Sequence, residues 1–364
     1  MEFIDLKAIH RRSEEAIEAA MAGVLEHGRF INGPEVHELE TALGEFLGGT
    51  HSILTSSGTM ALEIALRALG IGPGDEVITT PFTWISTAEV IGLVGATPVF
   101  ADIDAETYNI DPEAVRAAIT PKTKAVIPVN LFGQMADYEA IEEIVANKPI
   151  HIVEDAAQSF GAERKGHKSG TTGTVSCTSF FPAKPLGCYG DGGAIFTRDK
   201  GLADRLRAIV NHGGLVRGDH DHLGTNGRCD TLQAAILLAK LPAYKEEIGL
   251  RQELGRRYSE LLGDCCRTPA IAAGNTHIYA QYTIRPNDRG QLAKDLRDQG
   301  IPTAVYYRNC LHQQKVFQPL GYREGSFPHS EAAAREVLSL PFHPYMSHEQ
   351  QDRICKAVRE SKHA

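Results

Sequence analysis

Residues 178–193 read Thr178-Ser-Phe-Phe-Pro-Ala-Lys-Pro-Leu-Gly-Cys-Tyr-Gly-Asp-Gly-Gly193, with a single lysine, Lys184, placed directly before Pro185. So much glycine and proline excludes a regular helix or strand, and the pattern predicts a constrained loop between two strands. A lysine held in such a loop can be desolvated and its pKa lowered, as Schiff-base chemistry requires. The alternative is a solvated lysine in a glycine-rich hairpin.

The composition is that of an ordinary globular protein, with 364 residues, 42% hydrophobic and 23% charged. The net charge of −9 argues against a nucleic-acid or membrane surface. Residues 1–7 lack the pattern of a signal peptide, and no apolar run approaches the roughly 18 residues of a membrane span. The seven cysteines include no Cys-x-x-Cys pair, which indicates reduced thiols. We therefore expect a cytoplasmic protein with neither nucleic acid nor membrane as a partner.

Short apolar runs alternate with helical patterns between residues 50 and 200. This alternation predicts an α/β fold in which helices sandwich a mostly parallel, seven-stranded sheet. The predicted strands are Ser52–Leu54, Glu76–Thr79, Thr97–Phe100, Ala125–Ile127, His151–Val153, Cys177–Phe180 and Gly193–Phe196.

Helical patterns cover 9–28, 35–47, 201–211, 229–262, 287–299 and 349–361, and further helices are predicted over 62–69 and after Asp111-Pro112. Two later strands are predicted at 279–284 and 303–306. A boundary near 240–250 divides a large domain, 1–245, which includes the N-terminal helices, from a smaller α+β domain, 246–364.

A phosphate-binding helix start is predicted in Ile53-Leu-Thr-Ser-Ser-Gly-Thr-Met-Ala-Leu62. A strand runs into Ser-Ser-Gly-Thr and an amphipathic helix follows, so free N–H groups and the positive dipole end would face an anion. Gly58 permits close approach to the backbone, and Ser57 and Thr59 add hydroxyl groups. The pattern is not that of a nucleoside triphosphatase. A capped helix without a ligand is the alternative.

Two carboxylates end the strand in His151-Ile-Val-Glu-Asp-Ala-Ala-Gln-Ser159. Ligands bind at the carboxyl edge of parallel sheets, and Asp155 there can hold the protonated ring nitrogen of pyridoxal 5'-phosphate (PLP). Gln158 can donate to the phenolic oxygen of the same cofactor. A magnesium ligand and a helix cap are the alternatives for Asp155. Lys184 follows Asp155 by 29 residues, which suffices for one crossover and a return to the same edge.

The segment Thr80-Pro-Phe-Thr-Trp-Ile-Ser-Thr-Ala88 also follows a strand and holds Trp84, the only tryptophan. An aromatic side chain there can stack on a flat heteroaromatic ring, with core packing as the alternative. Together, the four segments would supply a phosphate-binding site, an aromatic side chain that stacks on the ring, a carboxylate for the pyridinium nitrogen and a Schiff-base lysine. These groups follow successive strand ends.

With these motifs the chain resembles the DegT/StrS-type sugar aminotransferases, which are PLP enzymes of the aspartate-aminotransferase fold (PLP fold type I). The resemblance covers nearly the whole chain, from Phe30-Ile-Asn-Gly-Pro-Glu35 to Asn226-Gly-Arg-Cys-Asp-Thr-Leu-Gln-Ala-Ala235. The lysine loop is most similar to the subgroup that aminates UDP-2-acetamido-2-deoxy-3-oxo-glucuronic acid for bacterial surface polysaccharide, including lipopolysaccharide O-antigen.

The resemblance implies a role for each matching residue. Lys184 would be the Schiff-base lysine and general acid/base, Asp155 would pair with the ring nitrogen, and Trp84 would stack on the ring. The remaining implied contacts are Gln158 to the phenolic oxygen; Gly58, Thr59 and Ser179 to the phosphate; Asn226 to the phosphate from the neighbouring subunit; and Arg228, Tyr306 and Tyr307 to the sugar. Ser57, which we also expect to contact the cofactor, stands where the family usually carries Asn or Asp. A homodimer with shared active sites follows from this arrangement.

Two features depart from the family pattern or stand outside it. Relatives usually carry His-Tyr where this chain has Tyr306-Tyr307. Asp219-His-Asp-His222 has the spacing of a metal site, but no further ligand is placed, so we interpret it as a loop near the substrate mouth and expect no metal. Arg217 and these histidines would add positive charge there.

The implied reaction is a transamination in which L-glutamate donates the amino group and a nucleotide-linked keto-sugar receives it. The acceptor carbon would be C3 of the UDP-sugar acid. The alternatives are an aminotransferase for another nucleotide keto-sugar, aminated at C4 or neutral, and a PLP-dependent sugar dehydratase. Dehydratase relatives carry histidine in place of the lysine, so Lys184 counts against the last alternative.

Overall fold

The sheet is built from alternating strands and helices, as the sequence predicts. The computed structural model describes residues 1–216 and 218–364. Its strands are β1 (His51–Thr55), β2 (Glu76–Thr79), β3 (Thr97–Phe100), β4 (Thr123–Ile127), β5 (His151–Asp155), β6 (Glu163–Arg164), β7 (His167–Lys168), β8 (Val175–Ser179), β9 (Gly193–Thr197), β10 (Tyr282–Ile284) and β11 (Leu338–Leu340).

The α-helices are α1 (Leu6–Arg11), α2 (Glu14–His27), α3 (Pro34–Phe46), α4 (Gly58–Ala68), α5 (Ser86–Leu93), α6 (Pro112–Ala118), α7 (Tyr138–Val145), α8 (Lys200–Val210), α9 (Thr231–Leu262), α10 (Arg289–Asp298), α11 (Pro328–Glu336) and α12 (His348–Glu360). Short 3-10 helices occupy Leu131–Gly133, Leu311–Gln313 and Lys315–Leu320. No helix of the described part of the chain is long and apolar enough to cross a membrane.

The large sheet has the strand order β1-β9-β8-β5-β4-β2-β3. The pairs from β8 through β3 are parallel, whereas β9 runs antiparallel to both of its neighbours. Every strand of this sheet except β9 therefore points the same way, and the carboxyl ends of these six strands share one edge. The loop from β8 to β9, which carries Lys184, leaves and returns at that edge. All seven predicted strands are confirmed.

Both faces of this sheet are covered by helices. Alternate strand residues such as Ile53 and Val153 pack with α4, α5 and α8 on one face. Their neighbours, such as Leu54 and Phe196, pack with α3 and α9 on the other face. This two-sided burial confirms the predicted α/β sandwich.

The C-terminal residues form a separate apolar cluster in which Tyr258, Leu292 and Ile354 surround the β10–β11 pair. The predicted strand at 279–284 shortens to β10, and the predicted strand at 303–306 is wrong, because only Ala304 pairs there, with Ser339. The proposed boundary at residue 245 falls within α9, which is continuous across it, and the division into two domains stays a prediction.

Candidate active site

A cavity of about 420 Å³ lies at the carboxyl edge of the sheet. Strand direction explains why, since β1, β2, β5 and β8 all end there. Of the predicted site residues, those that line the cavity are Ser57, Gly58, Thr59, Trp84, Asp155, Gln158, Ser179, Lys184, Tyr306 and Tyr307.

The N-terminus of α4 forms one end of the cavity. Ser57 caps the helix by accepting a hydrogen bond from the Met60 amide at 3.1 Å. A Cβ atom on Gly58 would lie 2.7 Å from Cβ of Ser179, so only glycine allows the helix start to meet the end of β8 this closely. Thr59 shares a 2.7 Å hydrogen bond with Ser86. Free amides, a helix dipole and several hydroxyl groups at one point suit a phosphate group.

The two carboxylates at the end of β5 have different environments because neighbouring strand residues face opposite ways. Glu154 is fully buried and accepts hydrogen bonds from the hydroxyl groups of Ser169, Thr172 and Ser176. It ties β5 to the following loop and does not line the cavity.

Asp155 faces the cavity instead, and two hydrogen bonds hold its carboxylate. Oδ1 accepts from the Ala157 amide at 3.1 Å and Oδ2 from the Thr87 hydroxyl at 2.9 Å. Burial raises the pKa of Asp155, while these two bonds and the charge of Lys184 oppose the rise. The helix-cap alternative is wrong, because the next element after β5 is the strand β6 and no helix begins in residues 156–162. A fixed carboxylate on the cavity wall fits a protonated ring nitrogen.

Lys184 projects from the β8–β9 loop, where its own amide donates to the Phe181 carbonyl at 2.8 Å. Helix α9 holds the same loop at two points: the Tyr189 amide donates to Gln233 at 2.9 Å, and the Lys240 ammonium donates to the Gly187 carbonyl. Burial lowers the pKa of Lys184, and Asp155 opposes the shift. Lys184 is only partly exposed, unlike a solvated surface lysine, and a lowered pKa makes its nucleophilic form more accessible than in a free lysine.

Aromatic side chains form the next part of the wall. Trp84 is 58% exposed, so the core-packing alternative is wrong. Its ring lies 6.3 Å from that of Tyr307, at an angle of 40°. Gln158 accepts from the Phe132 amide at 2.8 Å and donates to the Tyr307 hydroxyl at 3.2 Å, which leaves its second N–H for a ligand.

Two predicted site residues lie away from this cavity in the single chain. Asn226 is exposed and pairs with Asn211 in an isolated bridge. Arg228 donates to the Asn211 side chain at 2.9 Å and lines a second cavity, of about 200 Å³, beside Glu40 and Arg207. Nε of Arg228 is buried and has no hydrogen-bond partner within residues 1–216 and 218–364.

The segment 219–222 folds back on the chain instead of lining the main cavity. The amides of Asp221 and His222 both donate to the Gly213 carbonyl, and His220 shares a 2.9 Å hydrogen bond with the His212 carbonyl. Within the described residues, no group of three His, Cys, Asp or Glu side chains is arranged to hold a metal. Arg217, predicted to add charge here, lies outside the described residues.

Sequence reasoning missed other residues of the cavity wall, among them Ile4, Thr87, Asp191 and Gln281. Thr87 lies in the quoted segment around Trp84, and its hydroxyl group three residues after the tryptophan was the available signal. Ile4 and Gln281 come from distant parts of the chain and carry no local signal.

A model of the DegT/DnrJ/EryC1/StrS aminotransferase family matches residues 11–359. UDP-2-acetamido-2-deoxy-3-oxo-D-glucuronate aminotransferase of Pseudomonas aeruginosa is 49% identical over 98% of this chain and 99% of its own length. UDP-N-acetyl-3-dehydro-alpha-D-glucosamine 3-aminotransferase of Acidithiobacillus ferrooxidans is 40% identical over 99% of this chain and 97% of its own length.

Solved structures agree. A DegT DnrJ EryC1 StrS aminotransferase from Brucella abortus matches with a TM-score of 0.96 at 45% identity, over 99% of this chain and 98% of that one. NtdA from Bacillus subtilis with bound cofactor PMP matches with a TM-score of 0.90 at 30% identity, over 99% of this chain and 84% of that one. The family predicted from the lysine loop is confirmed, and the chain belongs to the DegT/DnrJ/EryC1/StrS aminotransferases.

Proposed function

We propose that this chain is a PLP-dependent aminotransferase that moves an amino group from L-glutamate to C3 of UDP-2-acetamido-2-deoxy-3-oxo-glucuronic acid. The observation that carries the proposal is the placement of Lys184 and Asp155 on one cavity beside the hydroxyl-rich start of α4. The name of the Pseudomonas relative supports the choice of sugar. The aminated product suits bacterial surface polysaccharide, including lipopolysaccharide O-antigen.

The cavity wall fits PLP from end to end. The start of α4, with Ser57, Gly58 and Thr59, and Ser179 opposite it, would hold the phosphate. Asp155 would pair with the ring nitrogen, and Gln158 would donate to the phenolic oxygen. Trp84 would stack on the ring, since it lines the cavity and its side chain is largely exposed.

When bound, PLP supplies a carbonyl carbon that binds amines and a ring that withdraws electrons from the substrate carbon. Lys184 Nζ would be the amine that holds the cofactor. Once the substrate amine has displaced it, Lys184 Nζ would move a proton from the amino-bearing carbon of L-glutamate to C4′ of the cofactor in the first half-reaction, and from C4′ to C3 of the sugar in the second. Asp155 would keep the ring nitrogen protonated, and its hydrogen bonds from Thr87 and Ala157 fix the carboxylate in place.

A homodimer would complete the site. Asn226 is exposed, and the apolar side chains of Phe30 and Ile31 are 47% and 49% exposed. A second copy that covers this surface would receive Asn226 at its phosphate group and Arg228 at its sugar. Nε of Arg228 is buried and lacks a hydrogen-bond partner in the described part of the chain. It suits a carboxylate, because a guanidinium binds one through two N–H groups.

The test measures transamination from L-glutamate to a panel of nucleotide keto-sugars. We expect the UDP-3-oxo sugar acid to exceed its neutral 6-hydroxymethyl analogue in kcat/KM by at least about tenfold, or about 1.4 kcal/mol. This preference should shrink in Arg228→Met. Equal kcat/KM values would overturn the sugar-acid assignment alone. Absence of transfer to every keto-sugar would overturn the proposed function.

A further inference from the structure

The cavity wall contributed by the C-terminal residues holds a glutamine that the chemistry above does not use. Gln281 directly precedes β10, in which Tyr282 and Ile284 point into the C-terminal apolar cluster. Because side chains alternate along a strand, Gln281 points to the other side, and it lines the active-site cavity there.

The side-chain oxygen of Gln281 is the notable atom of this wall. This atom, Oε1, is buried without a hydrogen-bond partner within residues 1–216 and 218–364. Gln158, the other glutamine of the cavity, uses its oxygen for the Phe132 amide and its nitrogen for Tyr307. A buried polar atom without a partner costs stability, and a ligand in this cavity that donates a hydrogen bond to Oε1 would remove that cost.

The N-terminal segment shelters this part of the wall. Ile4 lines the cavity with Gln281, and the ring of Phe3 lies 6.2 Å from that of Tyr306. The Phe3 carbonyl accepts a hydrogen bond from the Phe342 amide at 3.1 Å, which fixes the segment over the C-terminal part of the chain. Because Oε1 of Gln281 is itself buried, a hydrogen bond to it would form out of contact with solvent, where it discriminates strongly.

We propose that Gln281 is a specificity-determining residue whose carboxamide pairs with a hydroxyl or amide substituent on the keto-sugar ring. This inference rests on the proposed function. A carboxamide both donates and accepts, and so do hydroxyl and amide groups, whereas the carboxylates of L-glutamate only accept. The residue therefore serves the sugar half of the reaction rather than the amino-donor half.

The experiment compares Gln281→Leu with wild type in the two half-reactions, each followed separately by single-turnover absorbance of the bound cofactor. We expect kcat/KM for the keto-sugar to fall about tenfold to a hundredfold, as for a lost hydrogen bond in a buried site, with the L-glutamate half-reaction within about threefold of wild type. Calorimetric binding of the UDP-amino-sugar product to Lys184→Ala protein should weaken by a similar factor when Gln281→Leu is added.

Gln281→Asn, which keeps a shorter carboxamide, should recover part of the loss. It also tests the inference if the leucine variant does not fold. Gln291→Leu, on α10 away from the cavity, is the matched control and should behave as wild type. Equal losses in both half-reactions, or keto-sugar kinetics and product binding within about twofold of wild type, would overturn the inference. Failure of wild-type protein to aminate any keto-sugar would overturn the proposed function, and the inference with it.

Discussion

The Thr87 hydroxyl donates a hydrogen bond to Oδ2 of Asp155 across 2.9 Å, and both groups are buried at the cavity wall. Thr87 lies in the first turn of α5, whereas Asp155 ends β5. The helix thus positions the carboxylate that we assign to the cofactor ring, and it favours the charged form against the effect of burial.

Thr87→Val should raise the pKa of Asp155 further, because a hydrogen bond to the carboxylate lowers that pKa. Activity that needs the carboxylate is lost as the pH falls through this pKa. The acidic limb of the kcat profile should therefore move to higher pH, by about 1 unit, for the loss of a charge-assisted hydrogen bond. Thr87→Ser keeps the hydroxyl group, so its acidic limb should coincide with that of wild type. If the acidic limb of Thr87→Val does not move, Thr87 does not position Asp155.

Asp155→Asn keeps the shape of the side chain and removes its charge. The ring nitrogen would then lose its protonating partner, and kcat should fall by at least about a hundredfold. Circular dichroism should show an unchanged fold, because asparagine fills the same space at the end of β5. Near-wild-type turnover would assign the electronic role to another group.

Lys184 is expected to carry the cofactor. Borohydride reduction of the yellow holoenzyme should fix PLP on the Lys184 peptide, as mass spectrometry would show. Lys184→Ala should still bind PLP through the start of α4 but lose turnover by several orders of magnitude, since nucleophile and proton carrier are removed together. A label on any other lysine contradicts the assignment.

Asn226 is expected to act in the partner subunit. Lys184→Ala and Asn226→Ala chains, each inactive alone, should regain activity when they exchange subunits, because one site of the mixed dimer is intact. With random exchange the recovered activity should approach about one quarter of wild type. If mass spectrometry shows mixed dimers and activity stays absent, the site is built from one chain.

Lys240→Met tests the anchor of the lysine loop. The substitution leaves the Gly187 carbonyl without its donor in a buried site, so the free energy of unfolding should fall by about 1–3 kcal/mol. Turnover should also fall, because Gly187 lies three residues from Lys184. Urea unfolding and kcat measure the two effects, with Lys200→Met on the exposed face of α8 as the control. Reduced stability with unchanged kcat would limit Lys240 to stabilising the fold.

The strands were predictable because each is a short apolar run, and burial on both faces of the sheet keeps that signal strong. Helix 9–28 was predicted as one element, yet it breaks at Arg12, where Ser13 precedes α2. The apolar run 303–306 looks like a strand, but Tyr306 packs against Phe3 instead of joining a sheet.

The residues of the candidate site also divide into those that a sequence pattern predicts and those that it does not. Lys184, Asp155 and the start of α4 stand at strand ends, so a sequence pattern marks them and strand direction brings them together. Ile4 and Gln281 reach the cavity only through tertiary packing, and neither sits in a motif. Their positions in the cavity depend on contacts between segments that are far apart in the sequence, which local patterns do not encode.

The hydrogen bond between the Phe3 carbonyl and the Phe342 amide has a consequence for biosynthesis. The segment around Phe3 can take its place beside the cavity only after Phe342 has been synthesised. The sheet and its lysine loop can form earlier, since all their strands lie within residues 51–197. A nascent chain would thus bring the lysine loop and Asp155 together well before the N-terminal segment covers the cavity beside them.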